Sequence, residues 1–158
     1  MDYRDLLAYK KSFSLAMMIF QVSKHFPKEE KYSLTDQIRR SSRSVAVTIT
    51  ESYRKRVYPK NFLSKLTDAE AENSETQVWL DFSLECGYLN ESSYNELTAL
   101  NNEVGKLIYY MMNNPDKIRF KQNVNSKLPS PNSKLKNEHS TTLRTLSFQK
   151  SGNRTFPI

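Results

Sequence analysis

The chain has 158 residues, 37% of them hydrophobic, with 3 glycines, 6 prolines and one cysteine. That length supports one ordinary core. The scarce glycine and proline argue against a turn-rich β fold, and a lone cysteine excludes an internal disulfide or a multi-cysteine metal site.

The net charge of +7 points to nucleic acid until it is divided along the chain. Residues 1–112 carry 15 basic and 15 acidic side chains, and residues 113–158 carry 9 and 2. Within the neutral part, residues 39–65 hold 8 basic residues against Glu51 alone, and residues 66–112 hold 9 acidic residues against Lys106 alone. Charges at Asp2, Arg4, Asp5, Lys10 and Lys11 break up the start as a signal peptide. The longest strictly apolar run, Leu15 to Phe20, is too short to span a bilayer. A soluble cytoplasmic protein without membrane contact is expected.

The first helix is expected over Met1 to Phe26, capped by Asp2 or Asp5 and stopped by Pro27. Leu6, Tyr9, Phe13, Ala16, Met17 and Phe20 form one apolar stripe, and Leu15, Met18, Ile19 and Val22 form a second beside it. One stripe suffices for a monomeric surface helix. Two imply burial on two sides, hence an oligomer, the alternative being a central helix in a monomeric bundle. After a charged loop from Pro27 to Tyr32, Ser33 is expected to cap the second helix, with Asp36 completing a variant capping box. Leu34, Ile38, Ser42, Val45, Ile49 and Tyr53 follow core spacing, and Ser41, Ser42, Ser44, Thr48 and Thr50 are small enough for close helix approach. Arg39, Arg40 and Arg43 fall off that stripe. Arg54, Lys55 and Arg56 crowd the last turn, where the helix dipole favours cations.

Pro59 suits the first turn of a third helix, which reaches about Cys86 and ends at Gly87 as a left-handed cap. Its core face reads Phe62, Leu66, Ala69, Asn73, Thr76, Leu80 and Ser83, flanked by Trp79, Phe82 and Cys86. Asp68, Glu70, Glu72, Glu75, Asp81 and Glu85 mark its solvent side. Asn90 starts the fourth helix, whose seam reads Leu97, Leu100, Val104, Leu107 and Met111, and Asn113, Asn114 and Pro115 close it. From about Lys121 the chain is rich in Lys, Ser, Asn and Pro, and its apolar residues hold no steady period. Such a segment is expected to be disordered, with a helical tendency near 138–148. The pattern predicts an all-α, antiparallel up-down four-helix bundle over 1–120 and a basic disordered tail over 121–158.

Particular residues add a family likeness. They are Tyr3-Arg4-Asp5-Leu6, the run from Phe26 to Thr35 (FPKEEKYSLT), Gln37-Ile38-Arg39-Arg40, Ser44-Val45, Ile49 to Tyr53, and Gly87-Tyr88-Leu89. In these the chain resembles the bacterial four-helix bundle proteins, also called 23S ribosomal RNA intervening-sequence proteins, over about residues 3–112. The second helix departs from the family's usual Ser-Ile-Pro-Ser-Asn-Ile-Ala-Glu-Gly: Ala46, Val47, Thr48, Thr50 and Ser52 replace its Pro, Ser, Asn, Ala and Gly. The resemblance implies a homopentamer without enzymatic activity. A related branch, the accessory proteins of diversity-generating retroelements, resembles basic pentamers that bind a reverse transcriptase and nucleic acid.

The residues themselves point away from catalysis. His25 at the end of helix one reads as a dipole partner, His139 lies in the tail, and Cys86 reads as a small packed residue. No metal-ligand spacing, cofactor motif or phosphate loop stands out. The candidate binding set is Arg39, Arg40, Arg43, Arg54, Lys55, Arg56, Lys60 and Lys65, which would neutralise phosphates of RNA or DNA, with Tyr53 and Tyr58 stacking on bases. The competing reading is that these cations pair with the acidic third helix, within the bundle or between subunits. The expected partners are therefore further copies of the chain, nucleic acid, or a reverse transcriptase-like protein.

Overall fold

The computed structural model describes residues 2–118, and none of them is in a strand. Four long helices, α1 (Leu7–Val22), α2 (Leu34–Arg54), α3 (Pro59–Glu85) and α4 (Glu91–Asn113), are followed by one turn, α5 (Pro115–Ile118). The main seams join α1 to α2, α2 to α3, α3 to α4, and α4 back to α1. This is the up-down bundle read from the spacing. The disorder expected for 121–158 and the helical tendency near 138–148 concern residues outside those described.

The core forms where α2 and α3 keep strict helical periodicity. Every predicted core position of α2, from Leu34 to Tyr53, and of α3, from Phe62 to Ser83, is buried. Ile38, Ile49, Leu66 and Leu80 lose all contact with solvent, each worth roughly 1.5–3 kcal/mol of transfer. The small side chains Ser41, Thr48 and Ser52 are buried as well. They let the two backbones approach, and Ser41 Oγ stands 3.0 Å from Thr76 Oγ1 across this seam, the most extensive in the bundle.

Helix α4 differs from its predicted seam. Asn101 and Ile108 are buried with Leu97, Val104 and Met111, whereas Leu100 and Leu107 are only partly buried. Asn101 Nδ2 donates to the carbonyl of Asn73 and to Gln77 Oε1, both at 3.2 Å, and Asn73 Nδ2 donates back to the carbonyl of Asn101 at 3.3 Å. This reciprocal clamp sets the register of α3 on α4. Gly105 leaves it room, since a Cβ there would stand 3.2 Å from Asn73 Nδ2.

The helix ends show local physics that residue type alone misassigns. The first helix is shorter than expected. Asp2 caps a separate 3-10 turn, Tyr3–Asp5, by accepting from Arg4 N–H, and a second 3-10 turn, Ser23–His25, follows α1. That backbone N–H holds the Asp2 carboxyl below its usual pKa. Ser33 does not cap α2. Instead Glu30 Oε2 accepts from the Ser33 hydroxyl and, at 3.2 Å, from Leu34 N–H, while Tyr88 donates to Oε1 at 3.1 Å. The Ser33 hydroxyl, with that N–H, holds Glu30 below its ordinary pKa. Burial, then the Glu30 carboxylate, pushes the Tyr88 phenol up. At the end of α3, Gly87 takes φ +71°, with Tyr88 N–H on Ser83 O and Gly87 N–H on Leu84 O. This is a Schellman closure.

Candidate functional site

The eight candidate cations separate into three groups. Two are held in ion pairs within the bundle. Arg40 bridges Glu75 at 2.6 Å and Glu72 at 3.8 Å on α3, and the same Glu75 oxygen accepts from the Trp79 indole at 3.1 Å. Lys65 reaches back to Glu51 at 2.9 Å and also meets Asp68 at 3.3 Å. Glu51, then Asp68, holds the Lys65 ammonium pKa up.

Two more are tied down by hydrogen bonds and aromatic rings. Arg39 Nε donates to Ser23 Oγ at 2.7 Å, with its guanidinium 5.1 Å from the Phe20 ring centre. Arg56 is buried and lies 3.9 Å from the Tyr53 ring centre, donating to the Tyr53 carbonyl at 2.7 Å. Tyr53 is itself 3% exposed, so it packs in the core and offers no face to a base. Arg56 and Tyr53 belong to the closure of α2, whereas Arg39 ties the start of α2 to the turn after α1.

The remaining four face solvent. Arg43 lies along α2 near Phe20. Arg54, Lys55 and Lys60 gather at the α2–α3 corner with Tyr58, which is 63% exposed. Lys55 and Lys60 make no ion pair among the described residues. Arg54 stands 5.6 Å from the Tyr3 ring centre, which places the corner at the same end of the bundle as the start of α1. Exposed cations beside an exposed aromatic ring supply phosphate neutralisation and a stacking surface together.

A second feature, invisible as a site in the sequence, lies along α1 and α2. The core face of α1 is Ala8, Ser12, Leu15, Ala16 and Ile19, so only part of the first predicted stripe turns outward. Phe13 and Met17 are 52% and 43% exposed, and Val47 on α2 is 56% exposed. With Tyr3, Tyr9, Ala46 and Thr50 they line a groove of about 530 Å³, edged by Arg43 and Glu51. Its signal was the doubled stripe of α1, which could not show which stripe faces in.

His25 is exposed on the turn after α1. Cys86 is exposed, not packed as expected, because it follows the last turn of α3. Among the described residues no group of three or more His, Cys, Asp or Glu is placed to hold a metal ion, and no helix is long and apolar enough to cross a membrane.

Comparison with known proteins agrees with this architecture. No curated protein matches the chain. The fold is similar to the crystal structure of a protein of unknown function from the S23 ribosomal protein family of Bacteroides thetaiotaomicron. The two share 26% identity with a TM-score of 0.62, over 68% of this chain and 96% of that one. Residues 4–110, from before α1 to the last turn of α4, match the family described as 23S rRNA-intervening sequence protein. The chain belongs to the 23S rRNA-intervening sequence protein family.

Proposed function

We propose that this chain is a non-enzymatic scaffold that works as a homo-oligomer, a pentamer by family resemblance, and offers cations to nucleic acid or to a nucleic-acid-processing partner. The observation that carries the oligomer is the outward α1–α2 face, where Phe13, Met17 and Val47 stand open to water. A contiguous apolar groove of this kind marks an interaction surface in a water-soluble domain. The nucleic-acid half of the reading rests on Arg54, Lys55 and Lys60 beside Tyr58, joined by the nine basic residues of 113–158. Repetition around an oligomer would multiply weak phosphate contacts through avidity.

Light scattering tests the first half, with about 92 kDa, five times the 18.5 kDa chain, as the expected mass. Titration of single-stranded RNA and DNA against salt tests the second. Binding that weakens steeply with salt, and drops when Arg54, Lys55 and Lys60 are changed to Glu while the oligomer persists, supports the reading. Absent or salt-insensitive binding refutes the phosphate contact.

A second reading, an assembly module whose charges serve only packing, draws on Arg40 and Lys65, which already have carboxylate partners. It requires the wild-type oligomer to bind no nucleic acid at low salt.

A further inference from the structure

Among the described residues two surfaces of this bundle are left uncovered, and their chemistry is opposite. The first is the α1–α2 groove, floored by Phe13, Met17, Ala46 and Val47 and edged by Arg43. Its charge surroundings are mainly cationic. The charged residues of α1 are Lys10 and Lys11, of which Lys11 is held by Glu103 on the α4 side, and the rim carboxylate Glu51 is already engaged by Lys65.

The second is the outer stripe of α3. Leu63, Thr67, Ala71, Ser74, Val78 and Phe82 recur every three or four residues and are all exposed. Leu63, Val78 and Phe82 are 45%, 49% and 51% exposed. They form a ridge that is apolar at both ends and small in the middle, which is the shape a groove between two helices receives. Exposed Asp68, Glu70, Asp81 and Glu85 flank it.

We infer that the occupant of the α1–α2 groove is the α3 ridge of a second copy of this chain. The proposal rests on the oligomeric reading above and specifies which faces meet. Charge decides between the pairings. Groove against groove sets Arg43 against its own copy, and ridge against ridge opposes Glu70, Asp81 and Glu85 to themselves. Groove against ridge joins cations to anions around an apolar centre, so only this pairing is attractive in both its apolar and its charged parts.

The contact is heterologous, since each copy gives one face and receives with another. A heterologous contact closes into a ring or extends as a filament, and does not stop at two copies. Arg43, which has no carboxylate partner among the described residues, would gain one from the neighbour's α3. Arg54, Lys55 and Lys60, at the end of the bundle, stay outside the contact.

Cysteine crosslinking of the full-length chain tests the pairing. In a Cys86→Ser background, Val47→Cys marks the groove and Ala71→Cys marks the ridge. Both positions are exposed, so the substitutions leave the bundle core untouched. With a short bis-maleimide, the chain carrying both cysteines is expected to give trimers and larger multimers, and either single-cysteine chain to stay uncrosslinked. Dimers from Val47→Cys alone or Ala71→Cys alone would show a two-fold contact and overturn the proposal. Light scattering on the same samples separates the two levels. An oligomer that yields no multimers from the double variant overturns the face assignment and leaves the oligomer standing, whereas a monomer overturns both.

Discussion

Replacing the two asparagines of the α3–α4 seam one at a time should give unequal losses. Asn101→Ala removes two donated hydrogen bonds, to the Asn73 carbonyl and to Gln77 Oε1, worth roughly 1 kcal/mol each. It also empties part of a site that is 2% exposed, for roughly 1 kcal/mol more. Against this, it removes Asn101 Oδ1, a buried acceptor without a hydrogen bond among the described residues, which returns roughly 1 kcal/mol. The net cost is about 2 kcal/mol. Asn73→Ala loses one donation, makes a similar void, and likewise removes an unsatisfied Oδ1, for a net of about 1 kcal/mol. Each amide bonds to the other residue's backbone rather than its side chain, so the double variant should depart from additivity by only about 0.5–1 kcal/mol, through the adjoining voids. Urea unfolding at fixed protein concentration measures all three. Thermal midpoints should fall by about 8 °C and 4 °C. Equal losses, or a coupling above about 1 kcal/mol, would refute the clamp as described.

Glu30 accepts three hydrogen bonds as a carboxylate, and its pKa in the folded state is lowered. Its contribution to stability is present above the ordinary glutamate range and is lost as pH falls through the folded-state pKa. The stability gap between wild type and Glu30→Gln should therefore shrink toward acid in urea unfolding at stepped pH; a constant gap contradicts the capping role. Gly87→Ala should cost about 1 kcal/mol because φ is +71° there, and an unchanged melting temperature would speak against that conformation. The exposed Cys86 should react fully with a thiol reagent in the folded protein, leaving the circular dichroism unchanged, and protection until unfolding would show it to be covered.

The sequence is most informative where one apolar period stands alone. The core faces of α2 and α3 follow position by position, because in each the large side chains of one stripe keep strict three-four spacing. In α1 the apolar residues run nearly all round, and the inward face joins Leu15 and Ile19 of the second stripe to the small Ala8, Ser12 and Ala16. Hydrophobicity therefore leaves the inward side open, and only the packing of α1 against α2 and α4 decides it. In α4 the polar Asn101 sits at the centre of the seam because Asn73 faces it, a pairing across 28 residues that no local pattern contains. The cap at α2 follows the same rule, since Ser33 is the favoured residue type but Glu30, three residues earlier, has the reach. Of the candidate cations, charge identified the stretch but not its use. Arg56 and Tyr53 close the end of α2, Arg40 and Lys65 bind carboxylates, and the corner formed by Arg54, Lys55 and Lys60 is defined by what the other cations are already holding.

The connectivity of the bundle also fixes an order of events in time. Three of its main seams join helices adjacent along the chain, but α1 meets α4 only after the whole of α2 and α3 has been traversed. Loop-closure entropy makes that the seam with the largest ordering cost. One surface ion pair crosses it, Lys11 to Glu103 at 3.0 Å, and such pairs add little. The α2–α3 hairpin, with the most extensive seam, is the natural nucleus, and the outer helices α1 and α4 are expected to dock later and to open first. Native-state hydrogen exchange should accordingly find the amides of α1 less protected than those of α2 and α3, and equal protection would contradict this order. Since α1 also carries one wall of the groove, any assembly through that face would protect one of the two helices that close the bundle.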